Sequence, residues 1–378
     1  MKNGQPVRPV WAEVDLGALE LNYRELARRA GPGMHMIPSI KANAYGHGVV
    51  EIARVLSRQG VYALACGAFE EAVAIRQAGI RTRILLFAGY LPDAIPLLLE
   101  HDFIPTVYNM EAARVVSEAA RRPTAIYVKV DSGLGRLGIP VGEAAEFVRR
   151  VVALPHIVLE GIYTHLPFGD PAGRDWARQR LREFRAMLGA LAGAGISVPV
   201  TQAVSSAGIV AIPDHGCNAV CPGHLLYGIP PIAPTVADCT AFRPVLRAIR
   251  TRLIHVAAHP GARTVGLGGH YPMAGGSVTG VVPIGTRDGY RGARAGKAVV
   301  LLRGARTPVL GVSLEHTTLD LTGVRAAAVG DEVVILGRDG EDGITLREMA
   351  EWQEAHPLEV LTALSGRIPC RYLSATDE

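Results

Sequence analysis

From about residue 35 to residue 230, short apolar runs alternate with segments whose apolar residues recur at helical spacing. The β-rich runs are 36–40, 62–66, 83–87, 104–108, 125–130, 159–164, 198–203 and 218–221. The helix-period segments between them include 69–78, 93–100, 110–121, 142–152 and 175–192. Eight strands interleaved with helices predict a closed parallel (β/α)8 barrel of the TIM type, an α/β fold. The last units are short, so the strand count alone leaves an open sheet as the alternative. Upstream, residues 1–14 read as an extended lead-in strand that packs with the later β domain. Asp15 is a suitable N-cap, with Leu16, Leu19 and Tyr23 following at helical spacing.

The pattern changes at Pro230-Pro231-Ile232-Ala233-Pro234. Beyond it, apolar runs at 246–257, 278–284, 298–302, 308–312 and 332–336 are bounded by turns, and one short helix covers 346–353. This predicts a mainly antiparallel β domain. The expected division is a lead-in over 1–14, a barrel over 15–235 and a β domain over 236–378.

Composition narrows the class. About half of the 378 residues are hydrophobic (49%) and 20% are charged, as in ordinary globular proteins. The formal charge of +4 is small for this length, and no dense basic run argues for nucleic acid. No run of about 18 apolar residues argues for a membrane span. Met1-Lys2-Asn3-Gly4-Gln5-Pro6 lacks the apolar core of a secretory signal, and five scattered cysteines suit a reducing cytoplasm.

The chemistry concentrates in Met36-Ile37-Pro38-Ser39-Ile40-Lys41-Ala42-Asn43-Ala44-Tyr45-Gly46-His47-Gly48. An apolar run ends on a lysine, a Gly-bearing turn follows, and a helix pattern opens at Val49. In a barrel, functional groups sit at the C-terminal ends of strands. Lys41, Arg136, His165 and Ser206 all fall there. Burial lowers a lysine pKa and frees the amine for Schiff-base chemistry. Gly46, Gly48 and the nearby helix start suit a phosphate. The plain alternative for Lys41 alone is a surface lysine capping a strand. His215, Cys217, Cys221 and His224 are dense in soft ligands, but their spacing fits no zinc motif, so no metal is expected.

That lysine stretch resembles the cofactor-lysine motif of the alanine racemase family, the fold-type III pyridoxal-phosphate enzymes. Trp11-Ala12-Glu13-Val14-Asp15-Leu16-Gly17-Ala18-Leu19 with Asn22-Tyr23 resembles the family's opening, and Lys129-Val130-Asp131-Ser132-Gly133-Leu134-Gly135-Arg136-Leu137-Gly138 its central motif. The resemblance implies pyridoxal 5'-phosphate on Lys41, a free amino-acid substrate, and a head-to-tail homodimer with shared sites. It implies that Tyr45, Ser206 and Gly223 meet the phosphate, with Ser205 where the family usually has asparagine. Tyr227 is assigned to the same cofactor pocket. Arg136 is implied to hold the ring hydroxyl and the substrate carboxylate, and His165 to lie under the ring. Lys129 matches a lysine that is often carbamylated; pairing of the unmodified amine with a carboxylate is the alternative. Asp170 reads as a bystander.

Two family positions are altered. Cys221 replaces an arginine that faces the pyridine nitrogen, and Thr286 stands where the second catalytic base, a tyrosine, is usual. Tyr290 matches a neighbouring tyrosine, and His316, beyond Leu314-Glu315, is a replacement base; His270 and Tyr271 are rivals. In Ser365-Gly366-Arg367-Ile368-Pro369, Gly366 falls where some racemases place a phosphate-binding tyrosine. The expected activity is amino-acid racemisation. The alternatives are a lyase, aldolase or decarboxylase using Lys41 alone, and a non-catalytic cofactor carrier, against which the β domain argues.

Overall fold

The computed structural model describes residues 7–87, 89–266, 269–291, 297–364 and 367–374. They form two compact units. One joins Gly17–Ala44 to Val49–Pro244; the other joins the chain before Gly17, Tyr45–Gly48, and the chain from Val245 on. The first strand, β1 (Val10–Asp15), belongs to the second unit.

The first unit is a barrel. Its strands are β2 (His35–Met36), β3 (Leu64–Cys66), β4 (Ile84–Leu86), β5 (Thr106–Val107) and β6 (Thr124–Asp131), with the short β7 (Ile139–Pro140) paired on β6, then β8 (Ile157–Tyr163), β9 (Val200–Gln202) and β10 (Ala219–Val220). β5, β6, β8, β9, β10 and β2 pair in that order, all parallel. β3 pairs β4, and parallel bridges Ser39–Ala65 and Leu85–Ile104 join that pair to both ends of the larger sheet. The ring is therefore closed, which removes the open sheet. Ile37, Ala63, Ala65, Leu85, Ile104, Tyr127, Tyr163, Val200 and Ala219 alternate inward and fill the lumen. At the N-terminal ends of the strands a buried Glu160 is satisfied by Tyr62 Oη (2.9 Å) and by Arg83.

Helices cover the outside because their apolar residues form one stripe. In Val49–Arg58 the buried set is Val49, Ile52, Ala53, Val55 and Leu56, the 3.6-residue repeat. One expected helix starts earlier than its apolar pattern indicates. It runs Pro171–Gly193, and Asp170 Oδ1 caps it by accepting from Gly173 N at 2.7 Å.

The second unit is the expected β domain. After β1 come β11 (Leu246–Arg252), β12 (His255–His259), β13 (Arg263–Val265), β14 (Tyr271–Met273), β15 (Ser277–Val282), β16 (Val299–Leu302), β17 (Ala305–Val312), β18 (Thr317–Asp320), β19 (Glu332–Asp339), β20 (Asp342–Ile344) and β21 (Cys370–Leu373). The main sheet has the order β12-β15-β18-β17-β16-β19-β11-β1-β21. It is antiparallel except where β21 adds parallel to β1. The run 246–257, read as one strand, is two. Leu253 N bonds Asp331 O and Ile254 N bonds Val281 O, so the backbone changes partners between β11 and β12. The helix Leu346–Trp352 is followed by a second, Pro357–Leu364, whose Val360, Leu361 and Leu364 are buried.

Candidate active site

Lys41 leaves the C-terminal end of the β2 segment into an unusual turn. Ala42 (φ 55°, ψ 54°), Asn43 (φ 52°, ψ 46°), Ala44 (φ 54°, ψ 51°) and Tyr45 (φ 53°) are all left-handed. Each such residue costs about 1–2 kcal/mol, so the four together store roughly 4–8 kcal/mol. Within the barrel unit three bonds hold the turn. Ala44 N donates to Ile40 O (2.9 Å), Asn43 N to Glu71 Oε1, and Val49 N to Asn43 Oδ1 (2.8 Å). The last of these also satisfies the first turn of the next helix. In the second unit Tyr45 is buried, and Gly48 (φ +90°) lies against Tyr372 of β21. A Cβ at Gly48 would stand 1.8 Å from the Tyr372 hydroxyl, so no other residue fits.

Lys129, Arg136, His165 and Cys221 converge with Lys41 on the barrel's C-terminal face. Burial, and then the Arg136 guanidinium, hold the Lys41 amine below its ordinary pKa. The same two causes bring Lys129 down to about 8; its Nζ lies 4.5 Å from the Tyr163 ring centroid. Burial drives His165 down to about 3, helped by Lys129, Lys41, Arg136 and His224. It is a neutral imidazole at any physiological pH. Burial pushes the Cys221 thiol up to about 12, so it too is neutral, although Lys41 and Lys129 pull it the other way.

The loop carrying Arg136 is built on Asp131. Its carboxylate accepts from Gly133 N (2.9 Å), Leu134 N (2.8 Å) and Gly135 N (2.9 Å). The loop returns through Gly138 (φ +127°), where a Cβ would sit 2.6 Å from Asp131 N. Arg136 itself is exposed.

A group of N–H donors lies beyond β9 and β10. Ser206 Oγ, buried, accepts from Gly223 N (2.9 Å) and Leu225 N (3.2 Å). Ser205 occupies the N-cap position of Ser206–Ala211 without making a side-chain cap bond. Tyr227 is buried and its hydroxyl donates to Ser39 O (3.0 Å), so it braces the lysine strand.

The replacement bases sit in the second unit. Thr286, Arg287, Val312, Ser313, Leu314, Glu315, His316 and Arg367 line an open cleft of about 730 Å³. His316 and Thr286 are exposed there, and Arg287 pairs with Glu315 at 2.5 Å. Tyr290 is corrected to a core residue. It is 1% exposed among Val282, Ile284 and Leu364, which leaves its hydroxyl enclosed by hydrocarbon. His270 is exposed on a loop, and Tyr271 opens β14 half-buried. Among the described residues no group of three or more histidine, cysteine, aspartate or glutamate side chains is placed to hold a metal. His215 Nδ1 instead accepts from Cys217 N (3.1 Å). Ser365 and Gly366 lie outside the described residues. Three functional features escaped the sequence reading: the left-handed turn, the Asp131 support and Tyr372. The acid in Lys129–Gly138 was a usable signal for the second; nothing local announced the others.

Residues 14–231 match the family described as "Alanine racemase, N-terminal domain" and residues 246–372 "Alanine racemase, C-terminal domain". The chain is 31% identical to the alanine racemase of Halothermothrix orenii, covering 98% of each chain. It is 34% identical to that of Syntrophobacter fumaroxidans, covering 90% of this chain and 91% of the relative. Among solved structures it resembles the alanine racemase of E. faecalis, with TM-score 0.89, 29% identity, and 97% and 98% coverage. It also resembles that of Bacillus anthracis with bound L-Ala-P, with TM-score 0.90, 26% identity, and 99% and 97% coverage.

Proposed function

The chain belongs to the alanine racemase family, and from that premise we propose that it racemises a free amino acid, alanine first, with pyridoxal 5'-phosphate. The residues fit that cofactor. A phosphate would take the amides of Gly223 and Leu225 now gathered on Ser206, and the cationic face of Lys41, Lys129 and Arg136 suits an anion. When bound, pyridoxal phosphate acts as the electron sink that acidifies the substrate's α-proton.

The chain's own residues have separable tasks. Lys41 Nζ, its pKa lowered by burial and Arg136, would attach the cofactor and carry the α-proton on its side of the substrate. Arg136 offers a planar fork to the carboxylate and the ring hydroxyl. Tyr45, Ser205, Ser206 and Gly223 would hold the phosphate. His165 and Cys221 would border the ring as neutral groups. Lys129, with a pKa of about 8, keeps at neutral pH a fraction of the neutral amine that carbamylation requires. For the opposite face His316 is the acid/base, as the imidazole that lines that cleft. The cleft reaches a substrate by head-to-tail pairing with a second copy. The cytoplasm is the compartment, in keeping with five free cysteines. No helix of the described residues is long and apolar enough to cross a membrane.

The carrying observation is the Lys41 amine, depressed in pKa at a parallel strand end. The test is incubation of the cofactor-loaded protein with L-alanine in D2O. Deuterium uptake with inversion is expected, with borohydride fixing the cofactor on Lys41. Uptake with retention, or product fragments, would assign the one-sided lyase chemistry instead; no uptake across a panel of amino acids would leave a carrier.

A further inference from the structure

Ser39 carries a hydroxyl with no role in the site described above. It is 4% exposed, and its Oγ bonds no group among the described residues. Its backbone, by contrast, is fully engaged. Ser39 N donates to Pro222 O (2.8 Å), and Ser39 O accepts from Tyr227. A buried hydroxyl without a partner is costly and calls for an explanation.

Strand alternation gives its direction. Ile37 belongs to the lumen cluster, so Ser39, two residues on, shares the inner face, and Lys41 follows where the strand ends. Register agrees, since Ser39 bridges Ala65, another lumen residue. On its other side, Ile37 N bonds Val220 O and Ser39 N bonds Pro222 O. Ile37 is therefore level with Cys221, and Ser39 with Gly223, one layer nearer the mouth. Ala65, Ser39 and Gly223 make a row of small residues directly below Lys41, a shelf for a flat ring.

Resting on the assignment of Lys41 and Ser206 to the cofactor, we infer that Ser39 is a cofactor-binding residue whose Oγ–H donates to the pyridine nitrogen. The cofactor has four polar features. Lys41 takes the aldehyde carbon, the amides of Gly223 and Leu225 take the phosphate, and Arg136 takes the ring hydroxyl. The ring nitrogen remains. Among the inward groups of the shelf, Ser39 Oγ is the remaining donor. Cys221 lies a layer deeper, and a thiol donates weakly. A serine hydroxyl is far too weak an acid to give its proton up, so the nitrogen is hydrogen-bonded and unprotonated.

The test compares wild type, Ser39→Ala and Ser39→Thr. In protein loaded with ring-15N pyridoxal phosphate, Ser39→Ala shifts the nitrogen resonance away from its hydrogen-bonded position, and Ser39→Thr restores it. Ser39→Ala weakens cofactor affinity about five- to tenfold, as one lost hydrogen bond does. Without cofactor the same variant is more resistant to urea than wild type, because an unpaired buried hydroxyl is gone. With cofactor that advantage vanishes or reverses, a split that a purely structural serine does not produce. An unmoved resonance with unchanged affinity in Ser39→Ala overturns the inference. Borohydride labelling of Lys41 in the same samples separates the two readings. A labelled Lys41 with an unmoved resonance refutes Ser39 alone, and an unlabelled Lys41 refutes the site assignment beneath it.

Discussion

Replacing Ala42 by glycine should stabilise this protein, the reverse of what the substitution does in a normal helix. Ala42 is exposed, so the methyl buries nothing, and its backbone is left-handed at φ 55°, ψ 54°. Relief of that conformation is worth about 1–2 kcal/mol. The extra freedom of glycine in the unfolded chain takes back roughly 0.4–1 kcal/mol. Taking the middle of each range, the net is about 0.8 kcal/mol of added stability. With a urea slope of ~2–3 kcal/mol/M, the midpoint rises by roughly 0.2–0.5 M. The control is Ala186→Gly, at an exposed position of the right-handed helix Pro171–Gly193. It should lose about 1 kcal/mol. Both are read by urea unfolding of the cofactor-free protein, far-ultraviolet dichroism reporting on the helical barrel. If Ala42→Gly falls as Ala186→Gly does, the turn after Lys41 is not left-handed and the stored strain does not exist.

Asp288 should make stability pH-dependent. Burial raises its pKa, but the Arg8 guanidinium and the Gly285 N–H outweigh burial and hold it below the ordinary value. A carboxylate depressed in the folded state contributes fully above its unfolded pKa, and that contribution disappears as pH falls through the folded pKa. Asp288→Asn should cost about 1–3 kcal/mol at pH 7 and flatten the acid limb of a urea-midpoint profile; an unchanged limb would refute the pairing. Asp131→Ala removes the acceptor of three loop amides, so KM for the amino acid should rise about tenfold or more with a smaller change in kcat, read by a coupled racemase assay. Cys221→Arg adds a cation beside Lys41 and Lys129. The cofactor-free protein should lose about 3 kcal/mol or more in a urea titration, whereas an unaffected midpoint would show that the side chain escapes the lumen.

Much of the barrel was legible because its signal is local. Each strand is a short apolar run, each helix an apolar stripe, and Asp15 precedes the first helix. Lys41, Arg136, His165 and Ser206 were legible as strand-end residues because position after a strand carries information in this fold. The partner switch at Leu253-Ile254 was not, since both halves of that run are apolar and only β19 and β15 distinguish them. Tyr290 misled for a similar reason: an aromatic near a catalytic-looking segment has the same letter in a core as in a cleft.

The sequence by itself determined the alternation and the set of residue types at the strand ends. Those depend on periodicity and on side-chain chemistry within a few residues. Tertiary structure decided the rest: ring closure through the bridges at Ser39 and Leu85, the left-handed turn held by Glu71 from 28 residues away, and the neutrality of His165. A left-handed turn of alanines and an imidazole held near pKa 3 are both locally unfavourable. They exist only because distant hydrogen bonds and burial outweigh the local preference.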